Sequence, residues 1–198
     1  MAGNSAFLGG SVHDAAQRAA DILAVLLPRA GNLLTTGSPA ERDALVDVLL
    51  AHGEPSPLEI SPAGLESLRR AASELRAVFT APDVAAAAYL INELLAGRAH
   101  PPRLTTHGEA SGWHLHVDSS DDAPWGEWFL TSSCLALAVL LAERQAPPGG
   151  ICASAACGRP FVNVGRGSTR RYCSVACGTR ERVTAHREAS RRSPVKDP

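Results

Sequence analysis

The chain has 198 residues, enough for one medium domain and one small module, and its 45% hydrophobic content supports a buried core. The net charge of −1 hides a split. Residues 1–151 hold 9 arginines against 17 acids, net −8, and residues 152–198 hold 9 arginines and 1 lysine against 3 acids, net +7. The N-terminus MAGNSAFLGG lacks a basic, long-apolar leader, and the longest apolar run, Leu135–Ala142, is far short of a membrane span. A soluble cytoplasmic protein with no membrane partner is the expectation.

Val12, Ala16, Ala19, Ile22, Leu23, Leu26 and Leu27 recur at helical spacing, so residues 11–27 read as a helix ended by Pro28. Ser38-Pro39 opens a second helix, through about His52, with Glu41 placed for a capping box and Gly53 as the stop. Glu54–Ile60 is a loop. Ser61-Pro62 repeats the start signal for a third helix, whose stripe Leu65, Leu68, Ala72, Leu75 and Phe79 carries it to Phe79. Asp83 caps a fourth helix through Leu95 or Ala96, with Gly97 as its stop and Tyr89, Leu90, Ile91, Leu94 and Leu95 as its core candidates. These stripes are packing faces rather than a cofactor box.

Residues 103–118 change to a period of two and predict a β-hairpin. Leu104, Trp113, Leu115 and Val117 form its apolar face, and His114 and His116 share the other, with His107 across the turn. An H-x-H strand pair can hold a metal, and a solvated hairpin face is the alternative. Asp118–Asp122 reads as a solvated loop. A nearly apolar helix from Trp125 to about Gln145 belongs at the centre of the core, with Cys134 buried inside it as a small hydrophobe. Pro147-Pro148-Gly149-Gly150 marks a boundary.

Beyond it lie four of the five cysteines, Cys152, Cys157, Cys173 and Cys177. Two close pairs joined by a short segment suit a tetrahedral Zn²⁺ site, each pair giving two thiolates from one turn. Between them, Phe161–Val164 alternates like a strand, Gly165-Arg166-Gly167 reads as a hairpin turn and Ser168–Tyr172 as the return strand. Cys173 opens a helix on which Cys177 shares its face, and a helix N-terminus favours thiolate. The order is that of a treble-clef zinc module. Two disulfides or an iron–sulfur cluster are the alternatives; a reducing cytosol disfavours the first and the intervening hairpin the second.

Cys-x4-Cys, a Phe-led hairpin, the Arg-Tyr-Cys-Ser step and Cys177-Gly178-Thr179-Arg180 leading into a basic helix resemble the CGNR zinc-finger family. Thr179 stands where the family has Asn, and Tyr172 where it usually has Trp. The resemblance implies an N-terminal helical domain of the kind called ABATE and a role in bacterial transcription regulation. The segment Gly31–Gly37 matches only part of the family's Leu-Asp-Phe-x-Asn-Thr hallmark, through Asn32 and Thr35-Thr36, and reads more plainly as a connector. The expected fold is therefore mainly α with one β-hairpin over residues 1–149, then a treble-clef-like zinc module of hairpin and helix over 150–192 holding one Zn²⁺, then a disordered tail, 193–198.

Arg180, Arg187 and Arg191 fall on one stripe of the last helix, and Arg166, Arg170 and Arg171 sit on or beside the hairpin turn. Arginines bind phosphates and pair bidentately with guanine. Neutralising a doubly negative zinc–thiolate centre would need two or three of them, not nine. These six are the candidate contacts to double-stranded DNA, with the helical part sensing or dimerising. The alternative is a protein-interaction module whose basic face meets an acidic surface, the chain's own acidic part included. No nucleophile–base set, phosphate loop or HExxH helix is present, and four cysteine ligands leave no open metal position, so an enzyme is not expected.

Overall fold

The computed structural model describes residues 10–27, 36–109, 111–163 and 170–192. Asn32, Thr35, the turn carrying Arg166 and the tail 193–198 lie outside the described residues. Six helices and two strand pairs follow in chain order: α1 Gly10–Leu26, α2 Pro39–Ala51, α3 Pro62–Phe79, α4 Val84–Arg98, β1 Arg103–Thr105, β2 His114–His116, α5 Trp125–Arg144, β3 Gly149–Ile151, β4 Pro160–Val162 and α6 Val175–Arg192. The protein is mainly helical, with a small hairpin and a cysteine-rich C-terminal module.

Helix α5 is the centre, packed by α1, α3 and α4. Its Phe129, Leu137 and Leu140 are fully buried, and Cys134 is buried beside them. Burial pushes the Cys134 thiol up to about 12, so it behaves as an inert hydrophobe. By length and composition α5 alone among the described helices could cross a membrane; here three helices cover it. The predicted stripes face it: Ala16, Ala19, Ile22 and Leu23 from α1, and Leu65, Leu68, Ala72 and Leu75 from α3. Arg18 ties α1 to two neighbours, donating to Glu54 at 2.9 Å and Ser132 at 3.2 Å with its guanidinium 4.3 Å above the Trp128 ring.

The start signals act as expected. Ser38 Oγ accepts from the Glu41 N–H at 3.2 Å, Ser61 Oγ from the Gly64 N–H at 3.0 Å, and Asp83 Oδ1 from the Ala86 N–H at 2.8 Å. The capping box is displaced by one residue: the Glu41 carboxylate accepts from the Gly37 N–H at 2.6 Å rather than from Ser38. Glu41 is buried and paired with Arg69 at 2.7 Å, so it serves tertiary packing as well as the cap.

Four local expectations are corrected. Helix α4 runs through Gly97 to Arg98, because that glycine faces open space and the chain turns extended only at Ala99, ahead of His100-Pro101. Tyr89 is 63% exposed, since α4 buries the opposite face through Ala87 and Ile91. In the β1–β2 hairpin Leu104 and Trp113 are 65% and 66% exposed although Val117 on their face is buried, and part of the other face, Thr105 and His116, turns inward. The Asp118–Asp122 loop is not simply solvated: Asp118 is buried and accepts from Arg103 at 2.7 Å, and Asp121 accepts from Arg103 and from Thr105 Oγ1.

Gly149-Gly150 form a strand rather than a bare boundary. Strands β3 and β4 are antiparallel, with Gly149 opposite Val162 and Ile151 opposite Pro160. A Cβ at Gly149 would come within 2.7 Å of the Phe79 ring and the Phe161 carbonyl, so glycine permits α3 and β3 to touch. Val162 is fully buried in the helical core, and β4 lies against α1.

Candidate metal centre and basic helix

The cysteine cluster is built from two pieces. Cys152 and Cys157 lie on the loop between β3 and β4, where Gly158 takes a left-handed φ of 64°. The Cys152 N–H donates to the Arg159 carbonyl at 2.9 Å and the Cys157 N–H to the Ser154 carbonyl at 2.9 Å, closing a knuckle. Cys173 and Cys177 come from the start of α6. Ser174 is its cap: its Oγ accepts from the Cys177 N–H at 3.2 Å. Cys173 therefore precedes the helix by two residues instead of opening it, and only Cys177 lies in the first turn.

The predicted return strand is absent among the described residues. Residues 171–174 form bends, and β4 pairs upstream with β3. Among the described residues the backbone link back is the bond from the Ala153 N–H to the Arg171 carbonyl at 2.8 Å. Residues 164–169, with the proposed turn, lie outside the described residues.

The four sulfurs lie within 4.8 Å of one another. Cys157 Sγ is 3.6 Å from Cys173 Sγ, which is 3.7 Å from Cys177 Sγ. A tetrahedron with Zn–S bonds near 2.3 Å has edges of ~3.8 Å, whereas a disulfide needs ~2.05 Å. All five cysteines are free. Four converging sulfurs at tetrahedral spacing fit one Zn²⁺ and leave no ligand position open. Burial pushes the Cys157 and Cys173 thiols up, Cys173 to about 12 with the neighbouring thiols adding to it. The Ser174 hydroxyl draws Cys177 down to about 7. Four thiols so close resist ionising together unless a cation compensates them, which is what a divalent ion supplies.

Phe161, Tyr172 and the cysteines form a second, small apolar cluster. Gly178 lies against the Tyr172 ring, where a Cβ would be 3.3 Å from it. Residues 150–190 match the CGNR zinc finger. No curated protein matches the chain. The match places the finger on the cysteine cluster, both β3–β4 strands and nearly all of α6. In this finger Thr179, which stands where the family has Asn, is exposed and its Oγ1 accepts from Arg182 at 3.1 Å.

Sequence reasoning missed Glu181. Its carboxylate accepts from Ser154 Oγ at 2.7 Å and from the Ala155 N–H at 3.1 Å, clamping α6 to the knuckle. The available signal was its position four residues after Cys177, on the same helix face.

Arg180, Arg187 and Arg191 are exposed, and none forms an ion pair among the described residues. Among the described residues, the salt bridge from the finger to the acidic helical part is Arg159 with Asp21, at 3.8 Å. Arg171 is exposed, its guanidinium 5.8 Å from the Tyr172 ring. Arg170 is also exposed, yet its guanidinium donates to the Val162 carbonyl at 2.5 Å and lies 5.4 Å over the Phe161 ring, fastening the segment ahead of Cys173 to β4. Past its first turn α6 stands clear of the rest: from Arg182 through Arg191 every residue is exposed.

Proposed function

We propose that the protein is a zinc-containing DNA-binding transcription regulator of the cytoplasm, in which the finger presents α6 to duplex DNA. The helical part, read as ABATE-like, senses a signal or pairs two copies of the chain. The observation that carries this reading is the free arginine stripe. The acidic part has the opposite charge, yet it leaves Arg180, Arg187 and Arg191 exposed. An autonomous use of that charge inside the chain is therefore not supported, and an external polyanion is the better occupant. An 18-residue helix spans about 27 Å, and the major groove admits one.

The four-sulfur centre is structural in this proposal, because it has no vacant ligand position. It fixes the angle at which α6 leaves the knuckle, with Glu181 as a second fastening. Binding of a labelled duplex by full-length protein, measured against salt, tests the reading. If four to six arginines reach phosphates, log affinity falls against log salt with a slope of about −4 to −5. A flat salt dependence, or no binding at low salt, favours the second reading, in which the same face docks on an acidic protein.

A further inference from the structure

We propose that the inward face of the β1–β2 hairpin is a second metal site, in which His107, His114 and His116 hold a divalent first-row transition ion, Zn²⁺ above the others. It is independent of the cysteine centre and of the DNA reading. Antiparallel pairing sets Thr105 opposite His114 and Arg103 opposite His116, so these four share one face. His107 joins them because residues 107–109 all take left-handed φ values of 48°, 66° and 73°, which fold the chain back over the strand end. Thr105 Oγ1 holds that turn by accepting from the His107 N–H at 3.0 Å.

The three rings lie with centroids 4.8, 4.8 and 5.0 Å apart, and their donor atoms fall within 4.8 Å of one another. Hydrogen bonding decides which nitrogens are free. A neutral imidazole has one N–H and one lone pair. His114 Nδ1 is 2.8 Å from the Gly112 carbonyl oxygen, which can only accept. His116 Nδ1 is 2.9 Å from the buried Asp118 carboxylate, which also accepts. The Arg103 guanidinium approaches the same nitrogen at 3.5 Å, but Arg103 is already bound to Asp118 and the shorter carboxylate contact governs. Both rings therefore carry their proton on Nδ1 and present Nε2 as a lone pair. His107 Nδ1 lies 3.6 Å from the Asp121 carboxylate, beyond hydrogen-bond reach, so no bond fixes its tautomer.

His107 Nε2 and His114 Nε2 then face each other at 3.0 Å. With the His107 proton on Nδ1, two lone pairs at that distance need a cation between them; with it on Nε2, an N–H···N bond joins the rings. Metal–nitrogen bonds of 2.0–2.1 Å around a tetrahedral ion give nitrogen separations of ~3.3 Å, close to the 3.0 Å of the His107–His114 pair. The carboxylate behind His116 is the outer-shell partner that metal-bound imidazoles use to fix their tautomer. His116 is 9% exposed and His107 36%, so the face is buried on one side and open to solvent on the other. The fourth position there is left to water or a small ligand. The competing occupant is a proton, shared between His107 and His114 as an N–H···N bond.

Elemental analysis of full-length protein dialysed against a several-fold excess of Zn²⁺ separates the two. The proposal expects two zinc ions per chain in the wild type and one in both His107→Asn and His114→Gln, each with an unchanged helical circular dichroism spectrum. Asn is chosen at His107 because it tolerates a left-handed φ. Replacing the exposed His100 by Asn should leave two. Cobalt used as the second ion should add no thiolate charge-transfer band. One ion per chain in the wild type, or a second ion that persists in His107→Asn or brings a thiolate band, overturns the proposal.

Discussion

The helical part and the finger are held together by different physics. In the first, α1, α3 and α4 bury side chains such as Phe129, Leu68 and Ile22 around α5, and stability comes from apolar area removed from water. In the second, the apolar cluster is Phe161 and Tyr172 among four cysteines, too little to order a loop and an 18-residue helix that is almost wholly exposed. The difference shows how a small module is freed to present charge. A metal fixes its fold at one end, so the rest of α6 need not be amphipathic and can be a surface of arginines.

The contrast breaks most sharply at the metal. Cys173→Ser should release the zinc and unfold the finger, because structural zinc supplies on the order of 10 kcal/mol in isolated fingers. The helical part should keep its circular dichroism signal, and zinc content read with the thermal melt checks both. Cys134→Ala, by comparison, should leave zinc unchanged. Phe129→Ala should do the reverse of Cys173→Ser, lowering the main unfolding transition by ~3–5 kcal/mol with zinc retained in the folded protein. Denaturant titration with metal analysis tests it.

Val162→Ala sharpens the line between the regions. Val162 belongs to the finger in sequence and to the helical core in space. Loss of its two methyl groups should cost roughly 1.5–3 kcal/mol in the main transition, and a chain cut at Gly149 should melt below the full-length protein. Equal stability of the cut and uncut chains would show that the regions are independent. The smallest effect is expected at a cap: Ser61→Ala should cost ~1 kcal/mol in the helical part alone, measured by denaturant midpoint.

Helices were legible because their ends are local chemistry. Ser61-Pro62 opens α3 and Asp83 opens α4 through bonds to residues three positions away. The cysteine pairs were legible for the same reason, since each pair sits on one turn. What failed was non-local. The expected turn Gly165-Arg166-Gly167 lies outside the described residues and residues 170–172 are not a strand, while β4 pairs upstream with Gly149–Ile151, where missing side chains allow close approach to Phe79. A glycine pair read as punctuation was a contact. In the β1–β2 hairpin the period of two was right, but the expected apolar face is covered at Val117 and open at Leu104 and Trp113. Asp118 and Arg103 anchor the polar face through a network with no signature in hydrophobic alternation. Glu181 could have been placed on the Cys177 face by its spacing of four, but its partner Ser154, 27 positions away, has no such local signal.

The central claim is that α6 meets DNA through its arginines while the zinc only holds it in place. Arg180 is the residue to test, being exposed, unpaired among the described residues and three positions after a metal ligand. The measurement is duplex-DNA affinity and zinc content on the same preparation of Arg180→Ala. Intact zinc with affinity weakened by ~1–3 kcal/mol, or with the salt slope reduced by about 1, is the predicted result. Lost zinc would make Arg180 part of the metal centre, and intact zinc with unchanged DNA affinity would contradict the account.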